Sequence, residues 1–373
     1  MERKSETIEN KKKVFTIQLI IVNYCNLDCM YCYVRKGRHD IMPFEIAKHA
    51  ILDMLEEYPP AEWRYFLNFM GGEPLLAFDR IREICEWIWN TFPDIDMQIS
   101  SPTNGTLLDE TKRMWLAAHK DSFSLCLSFD GRTVQNQNRS QSLSRIDLCY
   151  FHDTWPQQPL KMTISEDGIE NLASNIIELQ RDGFLVSANV AWGEKKWAEQ
   201  SIAVFGEQML SLADYYIHHP ELPLVDLIDI DIRRVLLYQN PMLQRCGVGK
   251  NFLTIDIDGM RYACHVFSSL ALDTLEIANS IQYHIGDRVD YVVSECISCI
   301  FNQICPRCYG MLYKEQRSPF SIDRNICALF RQQVRGTCSY HIKRMSAKKN
   351  LDDIDHQLIV AIREIIHGNF YKQ

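Results

Sequence analysis

The sequence predicts an α/β fold: a partial (β/α)6 barrel of the TIM type, followed by a small Cys-rich C-terminal domain. Three observations carry that expectation. From residue 14 to about 192, strand-like and helix-like segments alternate, as in β–α units whose parallel strands need crossover connections. Clusters of unusual residues fall at the carboxyl ends of those strands, the face where such barrels place their chemistry. Beyond residue 245 the composition changes, and eight of the fourteen cysteines stand between Cys246 and Cys338.

Strands are expected at 14–22, 64–70, 96–102, 123–129, 159–164 and 185–192, and helices at 44–57, 78–90, 108–119 and 168–181. In the last helix Ile169, Leu172, Ala173, Ile176 and Leu179 recur at helical spacing. The connection 141–158 has no clear pattern. The chain then divides into a short extension (1–13), the barrel (14–192), a helical bridge (193–245), the Cys-rich domain (246–338) with short strands and little helix, and a helical tail (339–373). In the tail Leu351, Ile354, Leu358, Ile362 and Ile365 form one apolar stripe, expected to pack on the body.

Charge and composition exclude several classes. A net charge of −8 argues against a nucleic-acid surface, which is usually basic. No apolar run is long enough to span a bilayer. Val14 to Val22, behind Lys11, Lys12 and Lys13, briefly imitates a secretory signal, but Asn23-Tyr24-Cys25 replaces a small-residue cleavage site. The run is read as a buried strand. Fourteen cysteines without an export signal do not suggest a disulfide framework, so a cytoplasmic location is expected. Several cysteines stand in short clusters suited to gripping metal, while Cys85, Cys126 and Cys149 read as small buried hydrophobes.

After the first strand, Cys25-Asn26-Leu27-Asp28-Cys29-Met30-Tyr31-Cys32 offers three thiolates. Four would saturate a cubane iron–sulfur cluster; three leave one iron open for another ligand. A zinc site is the alternative, with His39 as the early fourth donor. Gly71-Gly72-Glu73-Pro74 follows strand two, Thr103-Asn104-Gly105 strand three, and Ser128-Phe129-Asp130-Gly131 closes strand four.

This cysteine spacing, with an aromatic before the last cysteine, resembles the radical S-adenosylmethionine (SAM) superfamily. The resemblance implies a [4Fe–4S] cluster on Cys25, Cys29 and Cys32 whose open iron chelates SAM, with Tyr31 near the adenine. It also implies Gly71, Gly72 and Glu73 at the amino group, Ser128 and Arg139 at the carboxylate, and Asn104 nearby. An arginine fork suits a carboxylate; a solvated surface arginine, and a simple Asn104–Gly105 turn, are the alternatives.

The second group begins with Cys246 and Cys264, joined by a stretch, 252–263, that alternates like a hairpin turning at Asp258-Gly259. Cys296, Cys299, Cys305 and Cys308 follow, then Cys327. The four central cysteines alone also fit a zinc ribbon, the mark of a zinc-binding module. The whole pattern resembles the SPASM auxiliary-cluster domain of peptide-maturing radical SAM enzymes. That implies two auxiliary [4Fe–4S] clusters, three in all: an outer one on Cys296, Cys299, Cys305 and Cys327, and an inner one on Cys246, Cys264 and Cys308. Only Pro306-Arg307 separates Cys305 from Cys308, where the family has three residues, and the inner set lacks a fourth ligand unless Cys338 supplies it.

The implied activity is reductive cleavage of SAM to a 5′-deoxyadenosyl radical that oxidises a peptide or small-protein substrate. The leading reading is maturation of a ribosomally made peptide (RiPP) by thioether or carbon–carbon cross-linking or another side-chain oxidation. Sulfatase-maturing, formylglycine-generating enzymes are the alternative. They carry an aspartate base directly after the hairpin's second cysteine, where this chain has His265, the candidate catalytic residue; a structural role is the other reading. An iron–sulfur electron carrier is a further alternative, though it would not need Gly71-Gly72-Glu73. A one-electron donor such as flavodoxin or ferredoxin is implied. The few residues before the first strand are too short for a leader-peptide-binding domain, so a separate protein or the body itself is expected to supply that recognition.

Overall fold

The computed structural model describes residues 12–35, 39–192, 197–237, 246–283 and 294–367. Most of the expected extension 1–13 and parts of the bridge 193–245 lie outside them. In chain order the elements are β1 (Lys13–Val22), α1 (Phe44–Glu57), β2 (Trp63–Gly71), α2 (Phe78–Thr91), β3 (Met97–Thr103), α3 (Glu110–Ala118), β4 (Phe123–Leu127), α4 (Gln135–Asn138) and α5 (Leu148–Thr154). There follow β5 (Leu160–Ile164), α6 (Leu172–Arg181), β6 (Val186–Val190), α7 (Glu199–His218), β7 (Phe252–Ile255) and β8 (Arg261–Tyr262). The C-terminal helices are α8 (Thr274–Ser280), α9 (Ser294–Ile297), α10 (Tyr309–Gln316), α11 (Arg324–Ser346) and α12 (Asp353–His367).

β1 is the central strand, and it buries Ile17, Leu19, Ile20, Ile21 and Val22. A strand covered on both faces reads as a continuous apolar run, which is why its sequence imitates a signal segment. Gln18 is the polar exception, buried among them. β2 pairs parallel to β1, β3 to β2 and β4 to β3. β5 and β6 form a second parallel pair, joined to β4 by a single bridge between Ser128 and Lys161. The six barrel strands therefore follow in sequence order, with a seam between β4 and β5.

The 252–263 hairpin forms, and β7 continues the barrel sheet by pairing parallel to β1. Its second strand, β8, turns back antiparallel, and the chain just beyond it brings His265 against Gln18 in the middle of β1. The expectation of little helix between 246 and 338 is overturned: α8, α9, α10 and most of α11 lie there. α8, α9 and α10 are only 7, 4 and 8 residues long, too short to display a helical apolar repeat. The unpatterned connection 141–158 contains α5, N-capped by Asp147, whose side chain accepts from the Tyr150 N–H. α12 buries Leu358, Ile362 and Ile365 of the expected stripe, but Leu351 and Ile354 are exposed. Cys85 is buried as expected; Cys149 is exposed, because α5 is a surface helix with Phe151 as its buried contact. Among the described residues no helix is long and apolar enough to cross a membrane.

The tightest backbone contact joins β2 to the exit of β1. Gly71 adopts a φ of +152°, and a Cβ there would sit 2.0 Å from the Val22 carbonyl oxygen. A Cβ on Gly72 would sit 2.1 Å from the Tyr24 carbonyl oxygen. Gly72 N–H donates to Val22 O at 3.1 Å and Glu73 N–H to Tyr24 O at 3.0 Å. Paired glycines are needed for this strand-to-loop approach. Gly72→Ala should cost about 3 kcal/mol of stability or more, read as a lowered urea midpoint; a midpoint equal to that of the parent chain would refute the tight approach.

Candidate active site

The loop after β1 places Cys25, Cys29 and Cys32 around the mouth of the barrel. Burial pushes the Cys29 thiol up to about 11, and the neighbouring Cys32 and Cys25 thiolates add to that while the Arg139 charge opposes it. Cys25 is likewise raised, first by burial. Its sulfur accepts the Leu27 N–H at 3.4 Å and faces Asn104 Nδ2 at 3.9 Å. His39 is stacked flat on Tyr24 with ring centroids 4.2 Å apart.

Glu73 is buried at the end of β2. Its carboxylate accepts from Thr103 Oγ1 (2.8 Å), the Asn104 N–H (2.7 Å) and the Leu75 N–H (3.2 Å). Burial nevertheless raises its pKa to about 7, and among the described residues no cationic side chain pairs with it. Asn104 in turn donates to Asn26 Oδ1 at 2.9 Å, tying the exit of β3 to the cysteine loop. The Asn104–Gly105 turn exists as well: Gly105 has a φ of +76°.

Asp130, just past β4, is a buried hub. Oδ1 accepts from Arg139 Nη2 (2.9 Å) and the Thr163 N–H (2.9 Å); Oδ2 accepts from Asn138 Nδ2 (3.2 Å) and the Tyr31 hydroxyl. Arg139 is 7% exposed, not a solvated surface arginine, and lies 5.3 Å from the Tyr31 ring centroid. Its Nε is buried with no hydrogen-bond partner.

These groups line one cavity of about 590 Å³. Cys25, Cys29, Cys32, Tyr31, Gly72, Glu73, Asn104, Ser128 and Arg139 all border it, so the structure brings most of the residues expected in the barrel to one place; Gly71 stands behind them, against Val22. Cys246, Cys264, Cys308 and His265 line the same cavity. The Cys264 and Cys246 charges both bear on Cys308, whose thiol burial pushes up to about 12. The His265 ring lies 2.8 Å from Gln18 Oε1 through Nδ1. An amide oxygen only accepts, so Nδ1 carries the proton and Nε2 keeps its lone pair. Burial pushes the His265 pKa down to about 4.

Cys296, Cys299, Cys305 and Cys327 form a separate group. Cys327, Cys299 and Cys296 all raise the proton affinity of Cys305, after the larger effect of burial. Arg307 reaches back beside Cys296 and Cys305. Cys338 packs with Cys299 and Cys305 in an apolar cluster around Phe301, Phe330 and Val334, on the outer side rather than with Cys246, Cys264 and Cys308.

The donor chemistry suits iron–sulfur clusters and SAM. Among the described residues no three His, Cys, Asp or Glu side chains converge to hold a single metal ion, as a mononuclear zinc site would need. Cys25, Cys29 and Cys32 border the cavity together, and three thiolates on a cubane cluster leave one iron open for another ligand. A buried carboxylate (Glu73) and a buried guanidinium (Arg139) line the same cavity, complementary to an ammonium and a carboxylate of one ligand. Sequence reasoning missed the structural importance of Asp130, and missed Gln18, Tyr33 and Thr163 altogether. A glutamine within an otherwise apolar strand was the available signal for Gln18; no local pattern marked Tyr33 or Thr163.

Residues 19–130 match the model of the Radical SAM superfamily. A 92-residue stretch is 35% identical to an uncharacterized protein of Methanocaldococcus jannaschii, covering 25% of this chain and 31% of that protein. The radical SAM cyclopropyl synthase TigE of Paramaledivibacter caminithermalis is 21% identical, over 90% of this chain and 76% of TigE. Among solved structures, native anSMEcpe with bound AdoMet and Kp18Cys peptide superposes with a TM-score of 0.65 at 17% identity, covering 94% of this chain and all of that one (100%). Streptococcus suis SuiB bound to precursor peptide SuiA gives a TM-score of 0.57 at 18% identity, over 84% of this chain and 75% of SuiB. These structural likenesses carry the fold.

Asp130→Asn would leave Arg139 as an uncompensated buried charge. Breaking such a pair costs about 3–5 kcal/mol, so thermal unfolding should drop by several degrees; an unchanged transition would show that Asp130 does not organise the site.

Proposed function

With residues 19–130 forming a radical SAM domain, we propose that this chain is a three-cluster radical SAM enzyme that oxidatively modifies a side chain in a peptide or small protein. The observation that carries this reading is the shared cavity: two cysteine trios open onto it, together with a carboxylate and an arginine suited to an amino-acid cofactor.

Cys25, Cys29 and Cys32 would hold the cluster that chelates SAM. Cys246, Cys264 and Cys308 would hold the inner auxiliary cluster, and Cys296, Cys299, Cys305 and Cys327 the outer one. When bound, the first cluster and SAM supply hydrogen-atom abstraction from an unactivated carbon, after one-electron cleavage of a carbon–sulfur bond. The chain's own residues bind and orient. Glu73 receives the cofactor's ammonium group, whose charge offsets the burial that otherwise favours protonation. Arg139, held by Asp130, receives the carboxylate beside Ser128, and Asn104 braces Cys25. Tyr31, hydrogen-bonded to Asp130, presents its ring as an apolar wall for the adenine.

His265 offers its unprotonated Nε2 as a hydrogen-bond or proton acceptor for substrate, with Gln18 fixing the tautomer. The cavity extends past it to Tyr33, Trp192 and Met311, so the substrate side chain lies between the two thiolate trios. Maturation of a ribosomally made peptide by cross-linking or another side-chain oxidation fits that placement. Conversion of a cysteine or serine to formylglycine would need His265 to act in place of the aspartate base. A one-electron donor, flavodoxin or ferredoxin, completes the system, and a separate protein could deliver the peptide leader.

After anaerobic reconstitution the chain should carry about twelve irons, falling to about eight in the Cys25/Cys29/Cys32→Ala variant. The parent should release 5′-deoxyadenosine from SAM with dithionite and the variant should not. Zinc in place of iron, or iron without cofactor cleavage, would sink the reading. His265→Ala should keep deoxyadenosine release but slow peptide modification about 100-fold, followed by mass spectrometry after co-expression with a small peptide encoded nearby.

A further inference from the structure

Directly after Arg139 the backbone does something costly. Ser140 and Gln141 adopt consecutive left-handed conformations, with φ of 52° and 54°. Neither is glycine, and single residues in this region are already uncommon outside Gly, Asn and Asp. Two in a row persist only where surrounding contacts over-determine them.

Those contacts fall into two sets. One holds the turn itself: Gln141 N–H donates to Asn136 O (2.9 Å), Arg145 Nη2 to Ser140 O (3.2 Å), Leu143 N–H to Asn136 Oδ1 (2.9 Å) and Gln135 Nε2 to Ser142 Oγ (2.9 Å). The other reaches across to the first cysteine loop. Ser140 Oγ accepts the Asp28 N–H at 2.7 Å, and Asn138 O accepts the Met30 N–H at 3.0 Å. Asp28 and Met30 flank Cys29. Asn138, Arg139 and Ser140 are consecutive, so the segment carrying the buried guanidinium is also the one that grips the amides on either side of the central cysteine.

We propose that the strained turn after Arg139 is a latch, with Ser140 as its positioning residue, that sets the distance between the cysteine loop and the arginine and so aligns the metal end of the cofactor site with its anion end. A helical or extended backbone at 140–141 would swing the hydroxyl away from Asp28 and release the loop from Arg139. The strain is retained because it places two groups contributed by distant parts of the chain in one register. Coupling is reciprocal: a ligand that engages both ends should tighten the loop, and a loosened loop should weaken that ligand.

This inference rests on the radical SAM reading for its ligand, and the test separates the two. In the chain without added cofactor, hydrogen exchange at the Asp28 and Met30 amides should be faster in Ser140→Ala than in the parent. In the reconstituted protein, Ser140→Ala should keep its full iron content yet bind SAM about ten-fold more weakly, the size expected for one lost hydrogen bond. The electron paramagnetic resonance change that SAM induces in the reduced cluster should shrink in parallel. Ser140→Asn tolerates the left-handed backbone and retains an acceptor, so it should restore both. Parent-like exchange and SAM affinity in Ser140→Ala would overturn the latch. Loss of iron in step with SAM binding would overturn it too, making Ser140 a structural support. If the parent chain itself failed to bind SAM, the functional reading would fall, and the exchange measurement alone would decide the latch.

Discussion

The buried carboxylate of Asp130 is the interaction on which the site depends. It stands at the seam where β4 and β5 share only one bridge, and there it accepts the Thr163 N–H that a continuous sheet would have paired with backbone. The same carboxylate holds Arg139 and the Tyr31 hydroxyl. A buried ion pair is weak evidence for stability, since desolvation consumes most of the Coulombic gain. Its value here is placement. Both oxygens are engaged, by four donors from three parts of the chain, and the guanidinium they hold borders the cavity.

Around that anchor the barrel and the C-terminal region share a single interior. Pairing of β7 with β1 makes the hairpin a continuation of the sheet rather than a module hung from it, and Gln18 on β1 meets His265 beside the hairpin's end. This explains how six cysteines from distant parts of the sequence border one cavity. Tyr33 stands between the trios: the charges of Cys264, Cys32 and Cys308 all bear on its hydroxyl, after the larger effect of burial. Cys299 and Cys305 instead pack, with Cys338, against the apolar cluster to which α12 contributes.

Much of this was legible in the sequence where the signal was local. β1 announced itself as a continuous apolar run, and the barrel strands through their alternation with amphipathic helices. Cysteine spacing and Gly71-Gly72-Glu73 pointed to one end of the sheet. Legibility failed where structure depends on partners far along the chain. Three of the helices between 246 and 338 were hidden because they are too short to show a helical repeat. Gly71 and Gly72 were read as admitting a ligand, and no local pattern showed that their missing side chains also admit the carbonyls of Val22 and Tyr24. Cys338 looked available to the inner trio by count, and only packing placed it on the outer side.

By itself the sequence determined the chemistry on offer: which thiolates come in clusters, which strand ends carry glycine, carboxylate and arginine, and the alternation that makes a parallel barrel. Those properties follow from side-chain identity and short-range periodicity, which the chain carries wherever it folds. Tertiary structure alone decided which cysteines share a group, that Arg139 is buried against Asp130, and that Ser140 grips the loop around Cys29. Each is a contact between residues far apart in sequence, fixed by strand register and close packing, and neither of those is encoded in any local window.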